Sequence, residues 1–173
     1  KYGEEPPFDL IKDQDLVIVD FSYKKDVMKK IIEIAKSVTV LDHHITAQND
    51  INDLLQDTNY NISGVFDMDR SGSVITWEYF HPDTKVPKLL LYVQDRDLWK
   101  FELSGTKEVQ ACVFSHEYDF DVWQSLIDLC EKNAYDLITD GEAIMRKQMK
   151  DIHEFMEGTQ HELVVGGHLV PAL

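Results

Sequence analysis

The sequence predicts an α/β fold in which a mostly parallel sheet is flanked by helices, and three observations indicate this class. Short, wholly apolar, β-branched runs alternate with longer segments whose apolar residues recur at helical spacing. This alternation is typical of β-α-β units. The first two runs end directly at polar groups, as strands buried within a parallel sheet often do. The chain has 173 residues, 43% of them hydrophobic, which suffices for a sizeable core.

The first β-α-β unit begins with the run LVIV. Residues 16–19 predict a strand that is buried on both faces and ends at Asp20. Ser22 is a candidate N-cap for the helix that follows. Residues 38–41 repeat the strand pattern and complete the unit. The helix between the strands carries one apolar stripe, formed by Val27, Met28, Ile31, Ile32 and Ala35.

The following segments predict one more strand and several helices. Residues 61–67 (NISGVFD) favour a third strand, and residues 71–80 favour a helix with Val74, Trp77 and either Tyr79 or Phe80 inward. The run PKLLLYVQDRDLW predicts a helix that leads into a polar loop. From Lys107 onward the pattern is mainly helical, and it includes a long stretch from about residue 134 to residue 157.

The C-terminal residues predict a β-hairpin. Two apolar runs flank Gly166-Gly167, a pair that suits a two-residue turn. Because an isolated hairpin is marginal in water, we expect it to open a second domain or to pair with a second copy as a homodimer. The expected organisation is therefore a first domain over residues 1–130, a linking helix over 131–158 and the start of a second domain over 159–173.

Composition excludes several functional classes. The net charge of −15 argues against affinity for duplex nucleic acid, which depends on Lys and Arg neutralising phosphates. No apolar run approaches the ~20 residues of a membrane span. The two cysteines lie in segments with helical patterns, so we expect core thiols and a cytoplasmic location. A small phosphorylated substrate stays compatible with the charge, because a bound cation reverses the local field.

Chemically useful groups follow the first two strands. Asp20 ends the first, and Asp42, His43 and His44 end the second, so these groups can converge beyond the carboxyl edge of the sheet. Asp and His together suit Mn²⁺, Mg²⁺ or Zn²⁺, and no paired cysteine motif indicates structural zinc. Asp95 is a further candidate ligand.

Simpler roles compete with the functional ones. Asp20 alone could be a turn residue, and Asp97 is more simply a loop carboxylate or a partner of Arg96. Arg70 is either a phosphate contact or an exposed loop arginine, and Ser71 with Gly72 either meets substrate or provides a helix cap and close packing. The other histidines show no ligand spacing, and these are His81, His116, His153, His161 and His168.

Four segments in this order and spacing, VIVDFS, VLDHH, DRSGSVITWEYF and YVQDRDLWKF, resemble the DHH phosphoesterase superfamily, in the branch where a DHHA1 domain follows the DHH domain. The resemblance covers residues 1–148. It implies an oligoribonuclease-like, metal-dependent phosphoesterase that uses two ions, Mn²⁺ or Mg²⁺, to activate water. The family also has an earlier strand with a His-x-x-x-Asp-Gly-type segment, which this sequence does not match, so we expect an incomplete metal site. The C-terminal hairpin resembles the beginning of the DHHA1 domain, so we expect only the start of that domain.

The resemblance also implies roles for single residues. Asp20 corresponds to the aspartate that bridges two ions, and His43 and Asp95 correspond to ligands of one of them. His44 corresponds to the histidine that faces the scissile phosphate or supports the site. Asp42 corresponds to the residue that holds the neighbouring imidazole, while Arg70 and Ser71 are candidates for substrate contact.

Three functions are consistent with these residues. The first is hydrolysis of phosphodiester bonds in short oligonucleotides or cyclic nucleotides, which the resemblance favours. The second is hydrolysis of a phosphoanhydride such as pyrophosphate or polyphosphate. The third is a non-catalytic nucleotide-binding module whose metal site is incomplete.

Overall fold

A computed structural model describes residues 4–159 and 161–172. The strands are β1 (Asp15–Val19), β2 (Ser37–Asp42), β3 (Ile62–Phe66), β4 (His161–Val165) and β5 (His168–Ala172). The helices are α1 (Phe8–Ile11), α2 (Lys25–Ile34), α3 (Ile45–Gln56), α4 (Gly72–Phe80), α5 (Lys88–Asp97), α6 (Thr106–Val113) and α7 (Phe120–Thr159). Among the described residues, no helix has an apolar stretch long enough to cross a membrane.

The N-terminal unit, Lys1–Lys100, contains a three-stranded parallel sheet in the order β1-β2-β3. This confirms the predicted α/β class with a parallel sheet and flanking helices. The central strand, β2, is the most buried, with Val38, Val40 and Leu41 at most 1% exposed. Side chains from α2 and α3 pack with β2 in one core, whose most buried members include Met28, Ile31, Ile51 and Leu54.

The prediction that β1 is buried on both faces is wrong for this structure. Ile18 is 7% exposed, but Val17 and Val19 on the opposite face are 38% and 45% exposed. Within the described sheet β1 is an edge strand, since β2 is its only hydrogen-bonded neighbour there. A wholly apolar run therefore did not distinguish an edge strand from a central one.

The predicted helix cap at Ser22 is also wrong. α2 begins after Lys24, and the Ser22 hydroxyl donates instead to the carbonyl oxygen of Tyr23 at 3.1 Å. The backbone N–H of Lys25 donates to Oδ2 of Asp50, in α3, at 3.0 Å. A carboxylate from a neighbouring helix thus accepts a hydrogen bond from one unpaired backbone N–H in the first turn of α2. A local sequence pattern cannot reveal this contact.

α4 follows its predicted bounds closely, but its exposed side differs from the prediction. Val74 and Ile75 are buried, whereas Tyr79 and Phe80 are 47% and 53% exposed. Neither aromatic therefore packs inward as expected. Because nearly every residue of this segment is apolar or small, helical periodicity alone could not choose its buried face.

The C-terminal unit, Phe101–Leu173, contains α6, α7 and the hairpin. α7 is interrupted at Asn133, whose φ of −160° is not helical, so the long stretch predicted from residue 134 begins there. The backbones of α6 and α7 pack very closely at Gly141. A Cβ at this position would lie 1.9 Å from the carbonyl oxygen of Glu108, so only glycine fits there. Residues 101–130 belong to the C-terminal unit, whereas their predicted place was in the first domain.

The predicted hairpin is present. β4 and β5 are antiparallel, with Val165 opposite His168. Gly166 and Gly167 have φ values of +58° and +86°, the left-handed conformation that a type I′ turn requires at both central positions.

Candidate metal centre

The register of β1 and β2 brings Asp20 beside Asp42. Val19 pairs with Leu41 at the end of the ladder, and the N–H of Asp20 donates to the carbonyl oxygen of Leu41 at 2.8 Å. Asp20 follows Val19 and Asp42 follows Leu41, so both carboxylates lie at the same edge of the sheet. The prediction that these groups converge there is confirmed for Asp20, Asp42, His43 and His44.

The backbone of Asp20 has a conformation that few residues adopt. Its φ is +52°, in the left-handed region, which aspartate tolerates better than most side chains. Its side chain lies against the start of α4, where a Cβ on Gly72 would come within 2.4 Å of Oδ1 of Asp20. Glycine at position 72 is therefore what lets α4 approach this carboxylate.

Asp42 is fully buried and only one of its oxygens has a hydrogen-bond partner. Oδ1 accepts from the backbone N–H of His43 at 2.8 Å and lies 2.7 Å from Nδ1 of His44. Oδ2 is buried without a hydrogen-bond partner. An unpaired buried carboxylate oxygen is costly, so Oδ2 of Asp42 fits a position that a cation satisfies.

His43 lies between two carboxylates. Its Nε2 is 3.2 Å from Oδ1 of Asp20 and 3.4 Å from Oδ2 of Asp97, and its side chain is 10% exposed. The ring of His44 contacts that of His43 at a centroid distance of 4.4 Å. Two carboxylates facing one imidazole nitrogen concentrate negative charge at this point.

Four residues can each offer one ligand atom, and these atoms lie within 4.8 Å of one another. The residues are Asp20, Asp42, His43 and His44. Two carboxylates and two imidazoles suit Mn²⁺, Zn²⁺ or another divalent transition metal better than they suit Ca²⁺, which prefers an all-oxygen environment. The donor set thus fits one divalent cation, while the second ion that the resemblance implies stays a prediction.

The electrostatics of the cluster shift two pKa values in its cation-free state. Burial raises the pKa of Asp20, and the negative charge of Asp97 raises it further. The hydrogen bond to Asp42 raises the pKa of His44. Both shifts favour a bound proton, so the cluster attracts positive charge, which a divalent cation would also supply.

The positions of Asp95 and Asp97 in α5 bear on which of the two lies next to the cluster. Asp95 is 6% exposed within α5 and is not a member of the four-residue cluster. Asp97 was predicted to be a loop carboxylate or a partner of Arg96, but it ends α5 and contacts His43. The two lie two residues apart in one polar segment, so no local pattern distinguishes them. The role of Asp95 as a ligand stays a prediction.

Arg70 and Ser71 lie in local networks. The Nε of Arg70 donates to Oδ2 of Asp67 at 2.7 Å, and its guanidinium also pairs with Glu78. Ser71 is fully buried, and its hydroxyl oxygen accepts from the backbone N–H of Val74 at 3.3 Å. These contacts support the capping role of Ser71, and a substrate contact by either residue stays a prediction.

A cleft of about 740 Å³ opens beside the cluster within the N-terminal unit. Asp20, Asp42 and His44 line one part of it. The segment that connects β1 to α2 and the first turns of α3 form much of its wall, including Lys24 and Thr46. Its volume lies within the range of small-molecule sites, roughly 300 to 1,000 Å³.

Comparison with known proteins found a viral relative of uncharacterised function. The chain is 36% identical over 120 residues to an uncharacterised protein of Acanthamoeba polyphaga mimivirus. The alignment covers 69% of this chain but 27% of the relative, so the chain spans little more than a quarter of the protein it matches. No family model matches the sequence. No solved structure matches it either.

Proposed function

We propose that this chain carries the metal-binding part of a DHH-type phosphoesterase that hydrolyses phosphodiester bonds of short oligonucleotides or cyclic nucleotides. The observation that carries the proposal is Oδ2 of Asp42, a fully buried carboxylate oxygen without a hydrogen-bond partner. It belongs to a cluster with Asp20 and two histidines at the carboxyl edge of a parallel sheet. The resemblance of four segments to the DHH superfamily supplies the reaction class.

Asp20, Asp42 and His43 would hold the cation. When bound, a divalent cation in such a site activates water as a nucleophile near neutral pH and offsets charge on phosphoryl oxygens. The exposed side chain of Asp20 and the buried one of Asp42 approach the same point from neighbouring strands. The third residue, His43, is already oriented between carboxylates, so little rearrangement is needed to present Nε2.

His44 is positioned to act on the phosphate rather than only on the cation. Nδ1 is held by Asp42, which leaves Nε2 available, and the side chain is 54% exposed along the cleft. Because its pKa is raised, His44 carries a proton over more of the neutral range. A protonated Nε2 can attract a phosphate oxygen or donate a proton to the leaving oxygen. The start of α3 directly after His44 adds favourable backbone N–H dipoles for an anion.

Mn²⁺ binding by three variants tests this assignment. We expect His43→Ala to lower Mn²⁺ affinity strongly, and we expect His44→Ala to lower hydrolysis of bis(p-nitrophenyl) phosphate more than Mn²⁺ affinity. His153→Ala is the control, because His153 is an exposed residue of α7 outside the cluster. Isothermal titration calorimetry measures binding, and absorbance measures turnover. Unchanged Mn²⁺ affinity in His43→Ala would contradict the metal assignment.

One observation favours a non-catalytic nucleotide-binding module as the second candidate. The clustered ligand atoms of Asp20, Asp42 and His43 account for one cation, whereas the reaction that the resemblance implies uses two. A chain that binds one Mn²⁺ and a nucleotide without hydrolysing phosphodiesters would support this alternative. Release of inorganic phosphate from pyrophosphate, without cleavage of diesters, would instead indicate a phosphoanhydride hydrolase.

A further inference from the structure

Two aromatic rings form one wall of the cleft beside the cluster of Asp20, Asp42, His43 and His44. Phe21 and Tyr23, one and three residues after Asp20, line this cleft together with it. Their rings meet edge to face, with centroids 4.8 Å apart and an interplanar angle of 85°. Both are partly buried against the core of the sheet and α2, so the ring positions are fixed by packing. A packed aromatic surface therefore begins at the residue directly after Asp20.

Acidic side chains also line this cleft. Glu4, Glu5 and Asp50 line it, and Lys24 is the only lysine or arginine among its lining residues. Asp50 uses Oδ2 to accept from the backbone N–H of Lys25, which fixes this carboxylate at the cleft wall. A chain of several phosphates running away from the metal would meet these carboxylates and be repelled. A neutral ring system with amide or amine donors would not be repelled.

We propose that this cleft selects a phosphate ester with an aromatic ring system, such as a nucleotide, and disfavours inorganic phosphoanhydrides. The phosphate lies at the cluster of Asp20, Asp42, His43 and His44, the ring packs on Phe21 and Tyr23, and Glu5 disfavours a second phosphate along the cleft. Tyr23 is then a specificity-determining residue, because it supplies ring contact without reaching the reacting phosphate. This inference rests on the proposed function, since the metal cluster must hold the phosphate.

Equilibrium binding to the Mn²⁺-loaded chain tests the ring contact. Thymidine 5′-monophosphate is compared with methyl phosphate, which has the same charged group and no ring. We expect the nucleotide to bind at least about tenfold more tightly, since stacking of a base on an aromatic side chain is worth this much. Tyr23→Ala should remove most of the difference and leave methyl phosphate and Mn²⁺ binding unchanged. Equal binding of the two ligands to the unaltered chain would overturn the inference.

A matched variant controls for loss of core packing. Tyr60 is also partly buried against the same core, but it is not among the residues that line the cleft. Tyr60→Ala should therefore leave the preference for the nucleotide unchanged. If Tyr60→Ala lowers the preference as much as Tyr23→Ala does, the effect comes from general loosening of the unit, and the proposed role of Tyr23 is wrong.

A charge variant tests the acidic part without touching the core. Tripolyphosphate is used as a competitor of thymidine 5′-monophosphate at a buffered free Mn²⁺ concentration. We expect it to compete at least tenfold more weakly than unlabelled nucleotide, and Glu5→Lys, at an exposed position, should strengthen it. Competition as strong as that of the nucleotide would overturn the inference while leaving a metal-dependent phosphoesterase in place. Absence of Mn²⁺ binding by the unaltered chain would overturn the proposed function itself.

Discussion

At the scale of single residues, the candidate metal site of Asp20, Asp42, His43 and His44 depends on conformations that place costly groups close together. Asp20 adopts a left-handed backbone conformation, and Gly72 is required opposite it because any Cβ there would collide with its carboxylate. Asp42 is fully buried with an unpaired oxygen. Strain and unsatisfied polarity of this kind are retained where a site needs them.

Asp97 should contribute more to metal affinity than Asp95. Asp97→Asn removes a negative charge whose Oδ2 lies 3.4 Å from Nε2 of His43, so we expect Mn²⁺ affinity to fall about 10- to 100-fold. Asp95→Asn, the matched change two residues away, should lower thermal stability more than Mn²⁺ affinity, because Asp95 is buried in α5. Titration calorimetry and thermal unfolding separate the two effects. A larger loss of Mn²⁺ affinity in Asp95→Asn would favour the ligand that the resemblance implies.

The pKa of His44 should lie above its ordinary value of about 6.5 in the metal-free chain. The hydrogen bond to Asp42 raises it, so the folded state binds this proton more tightly than the unfolded state does. The resulting stabilisation is fully present below about pH 6.5 and is lost as pH rises through the folded pKa. An NMR titration of the His44 ring in the unaltered chain and in Asp42→Asn measures the shift. We expect the variant to lose it, and a folded pKa at or below 6.5 in the unaltered chain would refute the pairing.

At the scale of elements, neighbouring helices and strands complete one another. The N-cap of α2 makes no side-chain hydrogen bond, and Asp50 of α3 instead accepts from the backbone N–H of Lys25 in the first turn of α2. α4 has its own cap in Ser71, as expected from the sequence, and its close approach to β1 depends on Gly72. Elements with local capping signals were therefore predictable, and those capped through tertiary contacts were not.

The capping contact between α3 and α2 should contribute measurably to stability. Asp50→Ala removes the acceptor of the Lys25 N–H, and we expect the free energy of unfolding to fall by about 0.5 to 2 kcal/mol. The midpoint of urea denaturation measures the change. Asn49→Ala, at the exposed neighbouring position of the same helix, is the control and should cause no loss. Equal midpoints for Asp50→Ala and the unaltered chain would contradict a capping role.

At the scale of the whole molecule, the chain consists of two compact units, each with its own packing. The cluster of Asp20, Asp42, His43 and His44 belongs to the N-terminal unit, as do Asp97 and the cleft. All residues to which we assign a role in the proposed reaction therefore lie in that unit. The net charge of −15 is consistent with this arrangement, since a cation bound at the cluster would create a local attraction for phosphate on an acidic protein. The C-terminal unit contributes a hairpin whose Val164 and Leu169 are strongly exposed.

The sequence by itself determined the α/β class, the β-α-β order, the hairpin turn and the convergence of Asp20 with Asp42, His43 and His44. These features follow from local periodicity and from the rule that parallel strands end at one edge of a sheet. Only the tertiary structure showed that β1 is an edge strand in the described sheet, that Asp97 contacts His43 and that Asp50 caps α2. Each of these depends on contacts between residues distant in sequence, whose distances and burial no local pattern specifies.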